Sequence, residues 1–497
     1  MTIFAPEAFK AAVAGQWIAR PAAHPSQITG VSIDSRTVNQ GEAFIALRGD
    51  RFDAHHFIPQ AISRGASLIL LERDSALPSR DSLPPNLSAI RVPDTRKALM
   101  RLARAHRQSL DGTKVIAVTG SNGKTTTVRL IDAALSSRFR GIASIKSFNN
   151  EIGVPLTVLR ARKGDNYLIC EVGMNAPGEI AQLAEIVEPD IAVITSIGRA
   201  HIENFGSVDG IALEKGSLLR FLRPQGLAVI PTTNPRLSEL ARKAPNVVTF
   251  GRDDDANLRI TSSSHVQSDN LTTRLRVTLN NRFTLDLPLL GEHNATNAAA
   301  AVAVARRLGL EEDAIASSLA SASPPDMRLQ HKHINGIDLY NDAYNANPDS
   351  SIAAITAFSY LAADAPRRVV VLADMLELGD LAEQGHREVA DAILSAPNID
   401  KVITVGEHSL YAANRLLEKW PRERVTMLSE FDAGSDHGAY RALSALRAGD
   451  AVLLKGSRAM RLERLEQLLA DPPPGAPRPS AHPQIHTPQR PAADARL

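Results

Sequence analysis

The 497-residue sequence contains one cysteine, Cys170, so no disulfide can form within the chain and a reducing cytoplasm suits it. Cys170 follows Leu168 and Ile169, which predicts a buried strand residue rather than a nucleophile. No apolar run is long enough to span a bilayer. Glu7 and Lys10 interrupt the first apolar pattern, where a secretory leader needs an unbroken apolar block. Net charge is equally scarce: 56 basic and 54 acidic residues leave +2, which gives no general drive toward nucleic acid or membrane. Internal repeats are lacking too. What remains is the composition of a soluble globular protein, 44% hydrophobic and 22% charged. At about 150 residues per domain such a chain is too long for one core and divides into roughly three.

The richest stretch is Gly120-Ser121-Asn122-Gly123-Lys124-Thr125-Thr126, between the apolar run Val115-Ile116-Ala117-Val118 and the helical pattern beginning at Val128. Strand, glycine loop and helix in that order turn backbone N–H groups toward a polyphosphate at a helix N-terminus. Lys124 adds a cation for the β- and γ-phosphates, and the Thr125 hydroxyl suits Mg²⁺. The usual pattern has another glycine where Val118 stands, so the loop is a shortened variant. ATP or GTP is the expected ligand.

Short β-like runs at 42–47 and 67–71, with a helical stretch at 57–65, predict a small α/β domain over 1–94. Asp94 then caps a helix running to about His106. From Val115 on, apolar strands at 167–172, 191–196 and 227–230 alternate with amphipathic helices, the signature of a parallel sheet covered on both faces. Alternation over 257–289 predicts an antiparallel addition, and 294–308 an alanine-rich helix, closing a nucleotide domain over 95–325 at Ser323-Pro324-Pro325. A third α/β domain over 326–470 has strands expected at 338–340, 368–372, 401–405 and 451–454. The Pro-rich remainder, 471–497, is expected to be a disordered tail.

A nucleotide site needs a carboxylate near its magnesium, and Glu171 ends the apolar run Tyr167-Leu168-Ile169-Cys170 on the edge where parallel sheets bind ligands. His201 follows the next expected strand on the same edge. Alone, it and Lys215 carry little weight, since most histidines and lysines are solvated or structural.

Together, 119–126, Asn149-Asn150-Glu151-Ile152-Gly153-Val154-Pro155, Glu171-Val172-Gly173, Ala200-His201, Glu214-Lys215-Gly216 and Gly291-Glu292-His293-Asn294-Ala295-Thr296-Asn297 resemble the Mur ligases, ATP-dependent enzymes that build the peptidoglycan peptide. The resemblance runs in order from about Ser32 to Leu469. It implies an N-terminal α/β substrate domain, a central phosphate-loop ATPase domain and a C-terminal Rossmann-like α/β domain. Within the family, Gly49-Asp50-Arg51-Phe52-Asp53-Ala54-His55, Asp342-Ala343-Tyr344-Asn345-Ala346-Asn347-Pro348, Asp374-Met375-Leu376-Glu377-Leu378-Gly379 and Lys455-Gly456-Ser457-Arg458 resemble the branch that adds D-alanyl-D-alanine to a UDP-N-acetylmuramoyl-tripeptide. The Asp-Asn-Pro-Arg signature of the branch adding the third residue is missing from the last domain.

By residue, the resemblance implies Lys124, His201, Lys215 and Arg328 as catalytic. It implies 120–126, Asn294, Asn297, Arg328, Asp342, Tyr344 and Asn345 at the nucleotide, and Ser35, Arg36, Asn149, Asn150, Lys455 and Arg458 at the substrates. Thr125 and Glu171 would hold one Mg²⁺, while His201 and a carbamylated Lys215 help place a second. It also implies a cytoplasmic monomer with no nucleic-acid or membrane partner. Arg199 and Ala373 depart from the family pattern without removing a catalytic group. The expected chemistry is γ-phosphoryl transfer to a carboxylate, followed by amine attack on the acyl phosphate. A sister amide ligase with another acceptor, a phosphate-loop motor or switch, and an inactive scaffold are the rival readings.

Overall fold

The computed structural model describes residues 4–20, 27–49, 52–79, 83–145, 147–267, 272–429 and 437–472. The expected tail lies outside the described residues from 473 onward, as do Asp50 and Arg51 of the 49–55 segment. The chain forms two compact units, Met1–Pro325 and Asp326–Leu497.

The first unit contains two sheets. One is built from β1 (Gln16–Ala19), β2 (Val31–Ser32), β3 (Ala43–Ile45), β4 (Leu68–Leu71) and β5 (Ser88–Arg91), in the order β1-β5-β4-β3-β2. Only β1 runs antiparallel to its neighbour. Strands β3 and β4 are fully buried apolar runs, which is why the sequence shows them. Strands β1 and β2 are short and half-exposed and gave no periodic signal. The helix Thr95–Gln108 follows, with the Asp94 carboxylate accepting from the backbone N–H of Lys97 as the expected cap.

The second sheet contains β6 (Lys114–Thr119), β7 (Gly141–Ala143), β8 (Tyr167–Glu171), β9 (Ile191–Ile194), β10 (Leu227–Pro231), β11 (Asn246–Gly251), β12 (Leu258–Gln267), β13 (Thr273–Leu279) and β14 (Phe283–Leu287). Their order is β14-β13-β12-β11-β10-β9-β6-β8-β7. Pairing is parallel from β7 through β12 and antiparallel across the final meander β12-β13-β14. On one face lie the helices Lys124–Ser136 and Asn294–Arg307, sharing a core with Ile116, Val118, Val229 and Val277. Alanines fill half of the second helix, so two helices and a sheet approach closely there.

The second unit holds β15 (Gln330–Ile334), β16 (Ile337–Asn341), β17 (Arg367–Ala373), β18 (Lys401–Val405), β19 (Val425–Leu428) and β20 (Asp450–Lys455), ordered β15-β16-β20-β17-β18-β19. All but β15 run parallel. The chain steps outward from β17 to β19 and then returns to place β20 in the middle. The helix Ala382–Ser395 packs against both Pro348–Leu361 and Ser409–Leu417, whereas His437–Ser444 packs with Glu463–Ala470. That reversal opens a crevice at the carboxyl ends of β16, β20 and β17.

Candidate functional site

Strand β6 delivers the chain into a loop whose glycines are required twice over. Gly120 and Gly123 have φ of +152° and +82°, a region disfavoured for side-chain-bearing residues. A Cβ on Gly123 would stand 2.1 Å from Asn297 Oδ1, and one on Gly120 would stand 1.9 Å from Thr195 Oγ1. The loop is clamped from the side by the chain leaving β9. Ser196 Oγ accepts from the N–H of Asn122 at 2.9 Å, and Ser121 Oγ donates to the carbonyl of Gly198 at 2.9 Å. Helix Lys124–Ser136 then begins at the loop, which places its N-terminal end there. Lys124 Nζ donates to the Gly120 carbonyl at 2.8 Å, folded over the loop it is expected to serve.

Beside it, Glu171 ends β8 and is 1% exposed. Thr125 Oγ1 donates to its Oε2 at 2.9 Å, and Asn149 Nδ2 donates to its Oε1 at 2.9 Å. Ser147 Oγ stands 3.3 Å from Thr125 Oγ1. No ion pair reaches Glu171 among the described residues, so a buried carboxylate sits beside a phosphate loop with neutral partners alone. This oxygen-rich group fits a hard divalent cation such as Mg²⁺. Among the described residues no three His, Cys, Asp or Glu side chains converge.

Lys215 lies on the helix Val208–Gly216 and is 1% exposed. Burial pushes its ammonium well below the ordinary lysine range, and the Lys124 charge adds to the effect. The adjacent Glu214 acts in the opposite direction; its carboxylate accepts from the N–H groups of Gly178 and Ile180, both at 2.9 Å, and so caps another helix. His201 follows the Gly198 turn with φ of +62° and precedes the short helix Ile202–Phe205.

The Asn294 and Asn297 side chains bond to each other, Asn297 Nδ2 donating to Asn294 Oδ1 at 2.8 Å. Asn150 Oδ1 accepts from the N–H of Gly153 at 2.9 Å and caps the helix Gly153–Arg160. Ser35 donates to Gln60 Oε1 at 2.7 Å. Arg36 grips Asp34 through Nε and Nη2 at 2.9 and 2.8 Å, which holds that carboxyl down at about 2. Asp34 lines a cleft of about 870 Å³ together with Ser32, Asn39, Arg140, Phe148 and Arg160.

In the second unit, the crevice brings Asp342, Asn345 and Lys455 together. Lys455 Nζ, 3% exposed, donates to Asp342 Oδ2 at 2.6 Å and to the Asn345 carbonyl at 2.9 Å. Asp342 Oδ1 accepts from the N–H of Leu329 at 2.9 Å, tying in the segment that carries Arg328. The Arg328 guanidinium lies over the Tyr344 ring, 4.2 Å from its centre. Arg458 pairs with Glu463 at 3.0 Å. The loop 374–378 is knit to the same edge: Ser457 N–H donates to the Asp374 carbonyl at 3.0 Å, and Leu376 N–H to Ser457 Oγ at 2.9 Å.

Sequence reasoning missed Ser147, Glu214, Gln60 and the Ser196 clamp. Only Glu214 lay inside a quoted motif; the others belong to loops or helices with no spacing signal.

A glycine loop at the carboxyl edge of a parallel sheet, backed by a buried carboxylate and two lysines, defines a phosphate-loop enzyme of the α/β class. Three family models match in sequence: "Mur ligase family, catalytic domain" over residues 27–107, "Mur ligase middle domain" over 118–305 and "Mur ligase, glutamate ligase domain" over 327–458. The chain belongs to the Mur ligase family. It is 36% identical to the UDP-N-acetylmuramoyl-tripeptide–D-alanyl-D-alanine ligase of Bacillus subtilis, over 92% of this chain and 96% of that one. The Escherichia coli ligase of the same name is 32% identical over 89% and 94%. Among solved structures, MurF from Acinetobacter baumannii superposes with a TM-score of 0.80 at 29% identity, covering 94% of this chain and 98% of its own. MurF from Thermotoga maritima in complex with ADP gives 0.74 at 26%, covering 89% and 97%.

Proposed function

We propose that the protein is a cytoplasmic ligase that joins D-alanyl-D-alanine to UDP-N-acetylmuramoyl-tripeptide, converting ATP to ADP and phosphate. The observation that carries this reading is the buried Glu171 bonded to Thr125 of the phosphate loop. The printed names of the relatives supply the substrates. We read the chain as a substrate domain over 1–94, an ATP domain over 95–325 and a ligase domain over 326–470.

An ionised carboxylate resists amine attack because it has no leaving group. Transfer of the γ-phosphoryl group to one carboxylate oxygen releases ADP and makes an acyl phosphate. The dipeptide amine then attacks the acyl carbon, its proton is lost, and inorganic phosphate leaves. Backbone N–H groups at Gly123 and the start of the helix Lys124–Ser136, with the Lys124 ammonium, offset the charge that develops on the phosphoryl oxygens. By the resemblance, Arg328 is read as a phosphate-binding cation of the second unit. Glu171 and Thr125 would hold Mg²⁺, which when bound supplies further positive charge at the phosphates. The cleft beside Asp34 is read as the seat of the UDP-linked donor, with Arg140 and Arg160 toward its diphosphate and Phe148 on its apolar wall. Lys455, paired with Asp342, is read as fixing the nucleotide-facing loop.

Lys215 is read as a carbamate, formed when its neutral amine adds CO₂ and releases a proton. A ¹³C carbamate resonance after bicarbonate labelling, lost in Lys215→Arg, is expected; its absence at full activity would exclude the modification.

The central test is phosphate release from ATP with the UDP-linked tripeptide, with and without D-alanyl-D-alanine, and mass analysis of the product. Release that needs both substrates, with a dipeptide gain in mass, is the expected result. Release with neither points to a switch or motor. ¹⁸O in the donor carboxylate should appear in the released phosphate; if none does, the acyl phosphate is wrong.

A further inference from the structure

The two asparagines at the start of helix Asn294–Arg307 belong to a chain of hydrogen bonds that begins in the helix after the phosphate loop. Thr127 Oγ1, fully buried, donates to Asn297 Oδ1 at 3.2 Å. Asn297 Nδ2 donates to Asn294 Oδ1 at 2.8 Å, and Asn294 Nδ2 donates to the carbonyl of Leu290 at 2.7 Å. Each donor points the same way, from Thr127 to the turn before the second helix, which fixes both amide orientations. Both asparagines are at most 5% exposed, so the links from Thr127 to Asn294 are held away from water. Asn297 also lies where the Gly123 side chain would be, its Oδ1 2.1 Å from an ideal Cβ. One amide thus touches the glycine turn of the loop and, four residues on, the fully buried hydroxyl of Thr127.

We infer that Asn297 is a positioning residue for the phosphate loop, holding Gly123 and Thr127 in place from the neighbouring helix. Its amide is bonded to the protein at both ends, so its part in nucleotide binding is exerted through the loop. The inference rests on the reading of that loop as the ATP site. A nucleotide that contacts both the loop and the Asn294 end meets one connected framework, preorganised before binding.

The test uses the full chain, with ADP affinity by titration and KM for ATP, the UDP-linked tripeptide and the dipeptide measured in parallel. Thr127→Val removes the hydroxyl while keeping the shape. It is expected to weaken ADP and raise the ATP KM about tenfold, with the other two KM values moving less than about twofold. Thr127→Ser, which keeps the hydroxyl, should recover the nucleotide affinity. Asn297→Ala should weaken ADP at least as much, and adding Thr127→Val to it should cost little more, because both remove the same bond. Unchanged ADP affinity in Thr127→Val, full additivity of the pair, or a parallel rise in all three KM values would overturn the inference. If Asn297→Ala does not fold, Thr127→Val and Thr127→Ser decide alone. Failure of the unaltered protein to bind ADP would instead remove the ATP reading on which the inference stands.

Discussion

Replacing Lys455 by Met keeps the length and apolar stem of the side chain but removes the ammonium bonded to Asp342 Oδ2 and to the Asn345 carbonyl. The pair is buried, with side-chain exposures of 3% and 15%, so the orphaned Asp342 carboxylate has little water to turn to. Removing one partner of a buried ion pair costs about 3–5 kcal/mol. At about 2–4 °C per kcal/mol for a unit of this size, the second unit should melt roughly 6–20 °C lower. The two tryptophans fall one in each unit, Trp17 and Trp420, so Trp17→Phe leaves Trp420 as a reporter of the second unit alone. The double change Lys455→Met with Asp342→Asn removes both charges and keeps an acceptor for Leu329. It should recover more than half of the loss. A single variant as stable as the parent, or a double variant no better than the single, would show that the ion pair does not hold the 342–345 loop.

Three other outcomes are expected. Glu171→Gln keeps an acceptor for Asn149, reverses the bond with Thr125 so that the amide donates to the hydroxyl, and loses the charge; it should lower kcat by about 10² or more with a raised Mg²⁺ requirement; an unaltered Mg²⁺ dependence in steady-state assays would count against the metal role. Gly123→Ala, strained at φ of +82° and pressed against Asn297, should cost about 1–3 kcal/mol in a urea melt and weaken ADP; wild-type ADP affinity would contradict the geometry. His386 is fully buried, accepts from the Met375 N–H through Nε2 at 3.1 Å and bonds the Ala382 carbonyl through Nδ1 at 2.7 Å, and burial lowers its pKa below 6.5. The unfolded chain therefore takes up a proton first, so this contribution to stability is present above pH 6.5 and is lost as pH falls through the folded value. Thermal melts from pH 7.5 to 5 should show a decline that His386→Gln reduces.

The sequence exposed those parts of the fold where burial and backbone geometry restrict the residue. The buried apolar runs within β6, β8 and β20, the caps at Asp94 and Gly123, and the alanine-rich helix all left such marks. Edge strands β1 and β15 did not, because a half-exposed strand such as Gln330–Ile334, with His331, Lys332 and His333, has no apolar alternation to read. The phosphate loop was legible because its chemistry is local. The partners of the implied residues were not: Lys455 meets Asp342 across 113 positions, and Asn297 meets Thr127 across 170. Ser35 and Arg36 came from the resemblance alone, which did not announce that Gln60 and Asp34 occupy their polar atoms.

The alanines of the helix Asn294–Arg307 have a consequence for how this protein can change. The helix is buried along almost its whole length between the strands β10–β13 and the helix that carries Lys124. A side chain of one carbon leaves no slack to absorb a larger neighbour, so enlarging Ala298 or Ala301 must displace the loop-bearing helix or the sheet, at about 1–3 kcal/mol per intrusion. Surface loops can drift in sequence without disturbing the phosphate loop. This helix cannot, because its sequence is held by the elements packed on either side of it.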